Sequence, residues 1–183
     1  MKKTVLIVLA DGFEEIEAVT PIDILRRAGM EVVIAGLEKR QVKGARGVEV
    51  SADLLLADYK DTPDTVVLPG GPGAEKLARS VAVRKLILRV QKADKLIAAI
   101  CAAPALVLPE SGVLDGKKAT CYPGYEDRLG KSTVFLAERV VTDGKVITSR
   151  GPGSAMEFAL EIVRHLAGEG AAREVSDKIL AAE

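Results

Sequence analysis

Four apolar runs set the limits on how this chain can fold. They are "TVLIVLA" (4–10), "EVVIAGL" (31–37), the first part of "DTVVLPGG" (64–71) and "KLIAAI" (95–100). Each is continuously apolar rather than alternating, which marks strands covered on both faces at the centre of a parallel sheet. Parallel neighbours need long crossovers, and the segments between these runs supply them. The first crossover opens with the acids of "DGFEEIEAV" and reads as helix up to "RRAG", where Gly29 is the stop. "VEVSADLLLAD" (48–58) reads as short strand pieces, and residues 74–93 as helix in one or two pieces. The expected fold is α/β: an open, doubly wound, mostly parallel sheet with helices on both faces.

The second half continues the alternation. "APALVL" (103–108) starts a helix, and "GKKATCYP" gives a short strand. "RVVTDGKVIT" is two β-rich runs around Asp143-Gly144, a hairpin signal. "SAMEFALEIVRHLAG" opens with Ser154 and Glu157 at capping-box spacing, followed by an apolar stripe of Phe158, Ala159, Ile162, Val163 and Leu166. A short helix closes the chain. The 183 residues carry no repeat, low-complexity tract or linker, so residues 1–183 are expected to form a single domain.

Charge and composition exclude several classes. Lys+Arg and Asp+Glu each total 26, and the basic residues are scattered. A chain without a basic field is not expected to bind nucleic acid or an anionic membrane. The apolar run at Thr4–Ala10 is too short for a secretory leader, and acids follow it at once. Nothing approaches a membrane span. Two cysteines, Cys101 and Cys121, make no disulfide scaffold and point to a reducing cytoplasm. The absence of asparagine, with only Gln41 and Gln91 as glutamines, resembles thermophilic composition.

Sites in doubly wound sheets form at the carboxyl ends of strands. Three segments end there: "ADGFEEIE", "PGGPG" and "CAAP". Cys101 sits at a strand-to-helix turn between small residues, the pattern of a nucleophile elbow with alanines in place of glycines. Pro104 fits a first helical turn. A helix N-terminus favours thiolate, so a lowered thiol pKa is expected. A buried structural cysteine in an alanine-rich core is the competing reading of this segment. Backbone N–H groups of Gly70, Gly71 and Ala102 are candidates to hold an oxyanion, while an ordinary tight turn is the plainer account of the glycines. Pro21 cannot donate a helical bond to the carbonyl of Glu17, so that position is expected to be irregular and Glu17 to point into the site. Buried there, its carboxyl would hold its proton. The sole histidine, His165, belongs to the late helix and reads as structural or solvent-edge. No His/Cys cluster offers a metal site, and neither a phosphate loop nor a dinucleotide fingerprint has the required spacing, so no cofactor is expected.

"LADGFEEIEAVTPIDILRRAG", "VVLPGGPGA", "LIAAICAAPALVL" and "ITSRGPGSAMEFALEIV" resemble, in order and along nearly the whole chain, the ThiJ/PfpI superfamily. The similarity is to the branch of the Parkinsonism-associated protein deglycase and its bacterial relatives. The resemblance implies a flavodoxin-like fold and a homodimer. It puts the reactive cysteine at Cys101, its partner carboxylate at Glu17 and the backbone hole at Gly70, Gly71 and Ala102. A histidine near the cysteine in some relatives aligns with Tyr122, a pocket neighbour here. Ala102 stands where the protease-like branch has histidine, which argues against a Cys-His-acid peptidase. The implied activity is a cofactor-independent glyoxalase or protein deglycase acting on a small aldehyde or a glycated protein, with a stress-protective role. The alternatives are a peroxide-responsive redox sensor and a chaperone.

Overall fold

The computed structural model describes residues 2–181. The first strand, β1 (Thr4–Leu9), leads into α1 (Glu15–Arg27) and β2 (Glu31–Gly36). A small hairpin, β3 (Gln41–Lys43) and β4 (Glu49–Ser51), precedes β5 (Leu54–Leu55). Then come β6 (Thr65–Leu68), α2 (Gly73–Arg79), α3 (Val81–Lys92), β7 (Leu96–Ile100) and α4 (Ala103–Val107). The rest is β8 (Lys118–Ala119), β9 (Val134–Phe135), β10 (Val140–Asp143), β11 (Val146–Ser149), α5 (Ala155–Ala167) and α6 (Glu169–Lys178).

The main sheet has the order β10-β11-β7-β6-β1-β2-β5, and every pairing is parallel except β10 with β11. Its inner strands, β2-β1-β6-β7-β11, follow the flavodoxin-like order 2-1-3-4-5. The expected mostly parallel fold is therefore the one observed. Val5–Leu9 and Ile97–Ile100 are almost wholly buried, which is why these runs carry no polar alternation. Helices α1, α5 and α6 pack together as one group, and α2, α3 and α4 as another. The sheet grows from β1 to one side through β2 and to the other through β6, so the crevice of such folds falls at the carboxyl ends of β1 and β6. Among the described residues, no helix is long and apolar enough to cross a membrane.

Local signals were read with mixed success. The stretch 74–93 is two helices because Ser80 takes extended backbone and its hydroxyl caps α3, accepting from the Val83 N–H at 3.3 Å. The Asp143-Gly144 hairpin forms, with Asp143 opposite Val146 and Gly144 at φ +60°. The capping box at Ser154 and Glu157 does not. Ser154 makes no side-chain cap; its hydroxyl lies 2.7 Å from that of Ser149 and donates to the Gly151 carbonyl, while Glu157 pairs with Arg139 at 2.8 Å. A buried hydroxyl neighbour outcompetes the local cap. Pro21 does not interrupt α1 either, so the irregularity expected at Glu17 is absent.

Candidate active site

Cys101 directly follows β7, and its backbone is left-handed, with φ +67°. For a residue with a Cβ this costs about 1–2 kcal/mol. The turn is held on both sides: the Cys101 N–H donates to the Ser149 carbonyl and its carbonyl accepts from the Tyr122 N–H, both at 2.8 Å. The strand must stop here and the short α4 must start, so the side chain is turned out of the sheet plane. Cys101 as a residue is 7% exposed, whereas Cys121 is fully buried. The Gly71 and Ala102 N–H groups are hydrogen-bonded to the Cys101 sulfur.

Glu17 comes from the first turn of α1, three residues after the capping residue Glu14, whose carboxylate accepts from the Glu17 N–H at 2.8 Å. That first-turn position, rather than any break at Pro21, places its side chain at the crevice. It is wholly buried. Oε2 accepts from the Gly70 N–H at 2.8 Å, and Oε1 has no partner. The carboxyl is hydrogen-bonded to the Cys101 side chain.

The Gly70-Gly71 turn makes this approach possible. A Cβ at Gly70 would lie 2.6 Å from the Cys101 Cβ and 2.7 Å from Glu17 Oε2. Gly71 has φ +77°, and a Cβ there would meet the backbone of Gly12 and Glu14 at 2.6 and 2.7 Å. Both glycines are therefore required by close approach. The Gly70 N–H is committed to Glu17, so of the three expected oxyanion donors only Gly71 and Ala102 are left as candidates.

Electrostatics also corrects the sequence reading. Burial raises the Glu17 carboxyl from 4.5 to about 7, against the lowering effect of its hydrogen bonds to Cys101 and Gly70. Burial and the neighbouring Glu17 charge push the Cys101 thiol up to about 12, although the Gly71 and Ala102 N–H groups pull the other way. The expected lowered thiol pKa is not found, because a helix of five residues cannot outweigh desolvation beside a carboxylate. Two of the three upward influences vanish once Glu17 holds a proton. Between about 7 and about 12 the pair therefore holds one proton and one negative charge, which sits chiefly on the carboxylate. Cys121 is pushed to about 12 as well, by burial and by the charge of Glu126.

A fourth strand end completes the crevice, and sequence reasoning overlooked it. After β11 the chain reads "RGPGS" (150–154). A Cβ at Gly151 would lie 3.3 Å from the Tyr122 ring and 4.0 Å from Glu17 Oε1, so this loop lies between the two. The buried Ser149 and Ser154 hydroxyls fix it: Ser154 Oγ donates to the Gly151 carbonyl at 2.9 Å, and Ser149 Oγ bonds the Arg139 carbonyl at 2.8 Å. Tyr122 is 45% exposed, edge-on to Tyr125. It forms a wall of a cavity of about 220 Å³, together with Arg139 and residues 150–154. The missed signal was a Gly-Pro-Gly turn at the end of a parallel strand.

His165 lies elsewhere. It is in the last turn of α5 and borders a hollow with Lys3, Asp64 and Lys95, which precede β1, β6 and β7. The length of β7, about 16 Å for five residues, separates that edge from Cys101.

Residues 3–165 match the DJ-1/PfpI family. The chain belongs to the DJ-1/PfpI family. Over 186 residues it is 44% identical to Protein dj-1beta of Drosophila melanogaster, covering 100% of this chain and 99% of that one. The crystal structure of Drosophila melanogaster DJ-1beta superposes with a TM-score of 0.95 at 43% identity, covering 100% of both chains. Protein DJ-1 homolog B of Arabidopsis thaliana is 43% identical over 181 residues, 97% of this chain but 41% of that protein. The chain thus spans less than half the length of this plant relative. Glutathione-independent glyoxalase DJR-1.2 of Caenorhabditis elegans is 39% identical over 170 residues, 91% of this chain and 90% of that protein. The family includes proteins with a glyoxalase-type activity.

Proposed function

We propose that this chain is a cofactor-independent glyoxalase, acting on methylglyoxal or on the early adducts methylglyoxal forms with proteins. The observation that carries this reading is the buried Cys101–Glu17 pair, in which a carboxyl at about 7 is hydrogen-bonded to a thiol on a strained turn. A base poised near neutrality takes up a proton and gives it back at small cost. The name of the nematode relative supports the same chemistry.

The reaction follows from the geometry. Glu17 accepts the thiol proton as sulfur attacks the aldehyde carbon. The carbonyl π bond becomes an alkoxide, which the Gly71 and Ala102 N–H groups stabilise. Protonation of that alkoxide gives a hemithioacetal. Glu17 then removes the proton from the sulfur-bearing carbon to give an enediolate, and protonation of the neighbouring carbon, with the hydroxyl proton passing to the adjacent oxygen, yields a thioester of lactate. Water cleaves the thioester, releasing lactate and restoring the thiol. The net change is addition of one water to methylglyoxal, without an external oxidant or reductant. On an early protein adduct, attack at the same carbon would release the protein amine or thiol.

A lactate time course tests this reading, wild type against Cys101→Ala. Cys101-dependent lactate is expected, and its absence from the wild type would refute the proposal. A second reading draws on the unpartnered Glu17 Oε1. Peroxide would oxidise the thiolate to sulfenate and, with a second equivalent, to sulfinate, releasing one water each time. A protonated Glu17 would hold the sulfinate oxygen. Graded peroxide followed by intact mass at Cys101 checks it. For the homodimer implied by the resemblance, the exposed apolar side chains Ile16 and Val19 on α1 and Val48 in the β3–β4 turn are candidate contacts. Light scattering at micromolar concentration tests that assembly.

A further inference from the structure

The cavity beside the Cys101–Glu17 pair is unevenly charged. Its two arginines have different fates. The Arg139 guanidinium is already paired: Nε lies 2.8 Å from both Glu157 carboxylate oxygens, and another nitrogen donates to the Gly153 carbonyl. Arg150 has neither an acidic partner nor a side-chain hydrogen bond among the described residues. It is half-buried. The loop that carries it is pinned from below by the Ser149–Ser154 hydroxyl pair, so the cation is presented from a fixed backbone. Among the described residues, no carboxylate lines the same cavity.

Size points the same way. At roughly 30 Å³ per water, a cavity of about 220 Å³ holds about seven waters, more room than a three-carbon aldehyde needs. Gly151, which lines the cavity, lies between Tyr122 and Glu17 Oε1, and the cavity runs along Tyr122 and Pro123 to the arginines. A molecule that reacts at Cys101 and is long enough to pass Gly151 meets this cavity and its unpaired guanidinium. A guanidinium without a protein partner is matched by a planar carboxylate or a phosphate, which it binds by paired hydrogen bonds.

We propose that Arg150 is a specificity-determining residue, selecting 2-oxoaldehydes that carry an anionic group, carboxylate or phosphate, beyond the reacting carbonyls. The proposal rests on the glyoxalase reading for its substrate class, but the anion subsite itself does not depend on turnover. Tyr122 supplies the flat wall along which the intervening carbons lie. The neutral end of the substrate meets Gly71, Ala102 and Glu17, and the charged end meets Arg150.

Two measurements separate the subsite from the reaction. The first is alkylation of Cys101 by iodoacetate and by iodoacetamide, reagents that differ in charge, in wild type, Arg150→Gln and Arg150→Lys at low salt. The iodoacetate/iodoacetamide rate ratio should fall about five-fold in Arg150→Gln and recover substantially in Arg150→Lys, since one nearby charge in a half-wet cavity acts on that scale. A ratio equal in wild type and Arg150→Gln would overturn the proposal. The second is kcat/KM for a carboxylate-bearing or phosphate-bearing 2-oxoaldehyde relative to methylglyoxal. This ratio should fall about ten-fold in Arg150→Gln, the scale of a lost charge-assisted hydrogen bond. Comparing the two substrates shows which anion the site takes. Unchanged preference for both anions would also overturn the proposal. If the wild type makes no lactate from methylglyoxal while the alkylation ratio still depends on Arg150, the glyoxalase reading fails and the anion subsite stands.

Discussion

Replacing Glu17 by glutamine should stabilise the protein, and by an amount that depends on pH. In the unfolded chain this carboxyl loses its proton near 4.5, and in the folded protein near 7. Between those values the folded state keeps a proton that the unfolded chain has released. Folding stability contributed by Glu17 is therefore complete below 4.5 and is lost as pH rises toward and through 7. The full loss is about 3 kcal/mol, since each unit of pKa difference is worth about 1.4 kcal/mol. Glutamine is neutral throughout and can still accept from the Gly70 N–H. Urea denaturation of wild type and Glu17→Gln from about pH 4.5 to about pH 8 should therefore show curves that meet at the acid end and separate by about 3 kcal/mol at the alkaline end. In melting temperature the gap at alkaline pH is about 6–12 °C. In a Cys101→Ala background the carboxyl loses a hydrogen bond that lowers its pKa, so the window should extend upward. A difference independent of pH, or a glutamine variant less stable at alkaline pH, would refute the claim that burial of an ionisable carboxyl dominates this site.

Four further outcomes are expected. Gly70→Ala should reduce lactate formation by roughly 10²-fold or more and cost about 2 kcal/mol, because its methyl would collide with Cys101 and Glu17; full activity with intact fold would contradict the packing. Cys101→Gly should raise stability by about 1 kcal/mol in urea denaturation, by relieving the φ +67° strain, while abolishing lactate formation. Peptide mapping after iodoacetamide treatment of the native protein should find label on Cys101, and on fully buried Cys121 only after denaturation; equal labelling in the native state would contradict this. Ser154→Ala should cost about 1–2 kcal/mol and lower kcat/KM, since it leaves Ser149 without its buried partner and frees the Gly151 loop.

The sheet was legible because its strands are uniformly apolar. Val5–Leu9 and Leu96–Ile100 face helices on both sides, and nothing polar blurs their limits. The residue types at the elbow were visible too, although Cys101 among small and apolar residues reads equally as a structural cysteine until Glu17 and Gly70 are seen beside it. What stayed illegible depended on non-local partners. Ser154 reads as a helix cap until Ser149, five residues away in sequence and buried beside it, is seen to take the hydroxyl. Gly70 reads as an oxyanion donor until Glu17, from an element 53 residues earlier, is seen to occupy its N–H. The thiol pKa reads as lowered from the turn alone; its direction reverses because burial and the Glu17 charge come from the assembled crevice.

Those corrections share a cause that bears on how the site works. Three costly features meet within one crevice: a left-handed cysteine, an unpartnered carboxylate oxygen and a carboxyl held near its midpoint. None would persist on a free loop, where the backbone would relax and water would solvate the acid. Here Cys101 is tied by backbone bonds to β11 and to Tyr122, and Glu17 is fixed to the Gly70 turn. The parallel strands ending at these residues are rigid and almost wholly buried, so relaxing one feature means disturbing several of them. The same rigidity makes the site's chemistry depend on one proton. In the proposed reaction the proton moves from sulfur to Glu17, which makes the sulfur nucleophilic, and then from Glu17 to the alkoxide. A fixed pair that exchanges one proton performs both halves of an addition without a histidine, which is consistent with His165 lying at the opposite edge of the sheet.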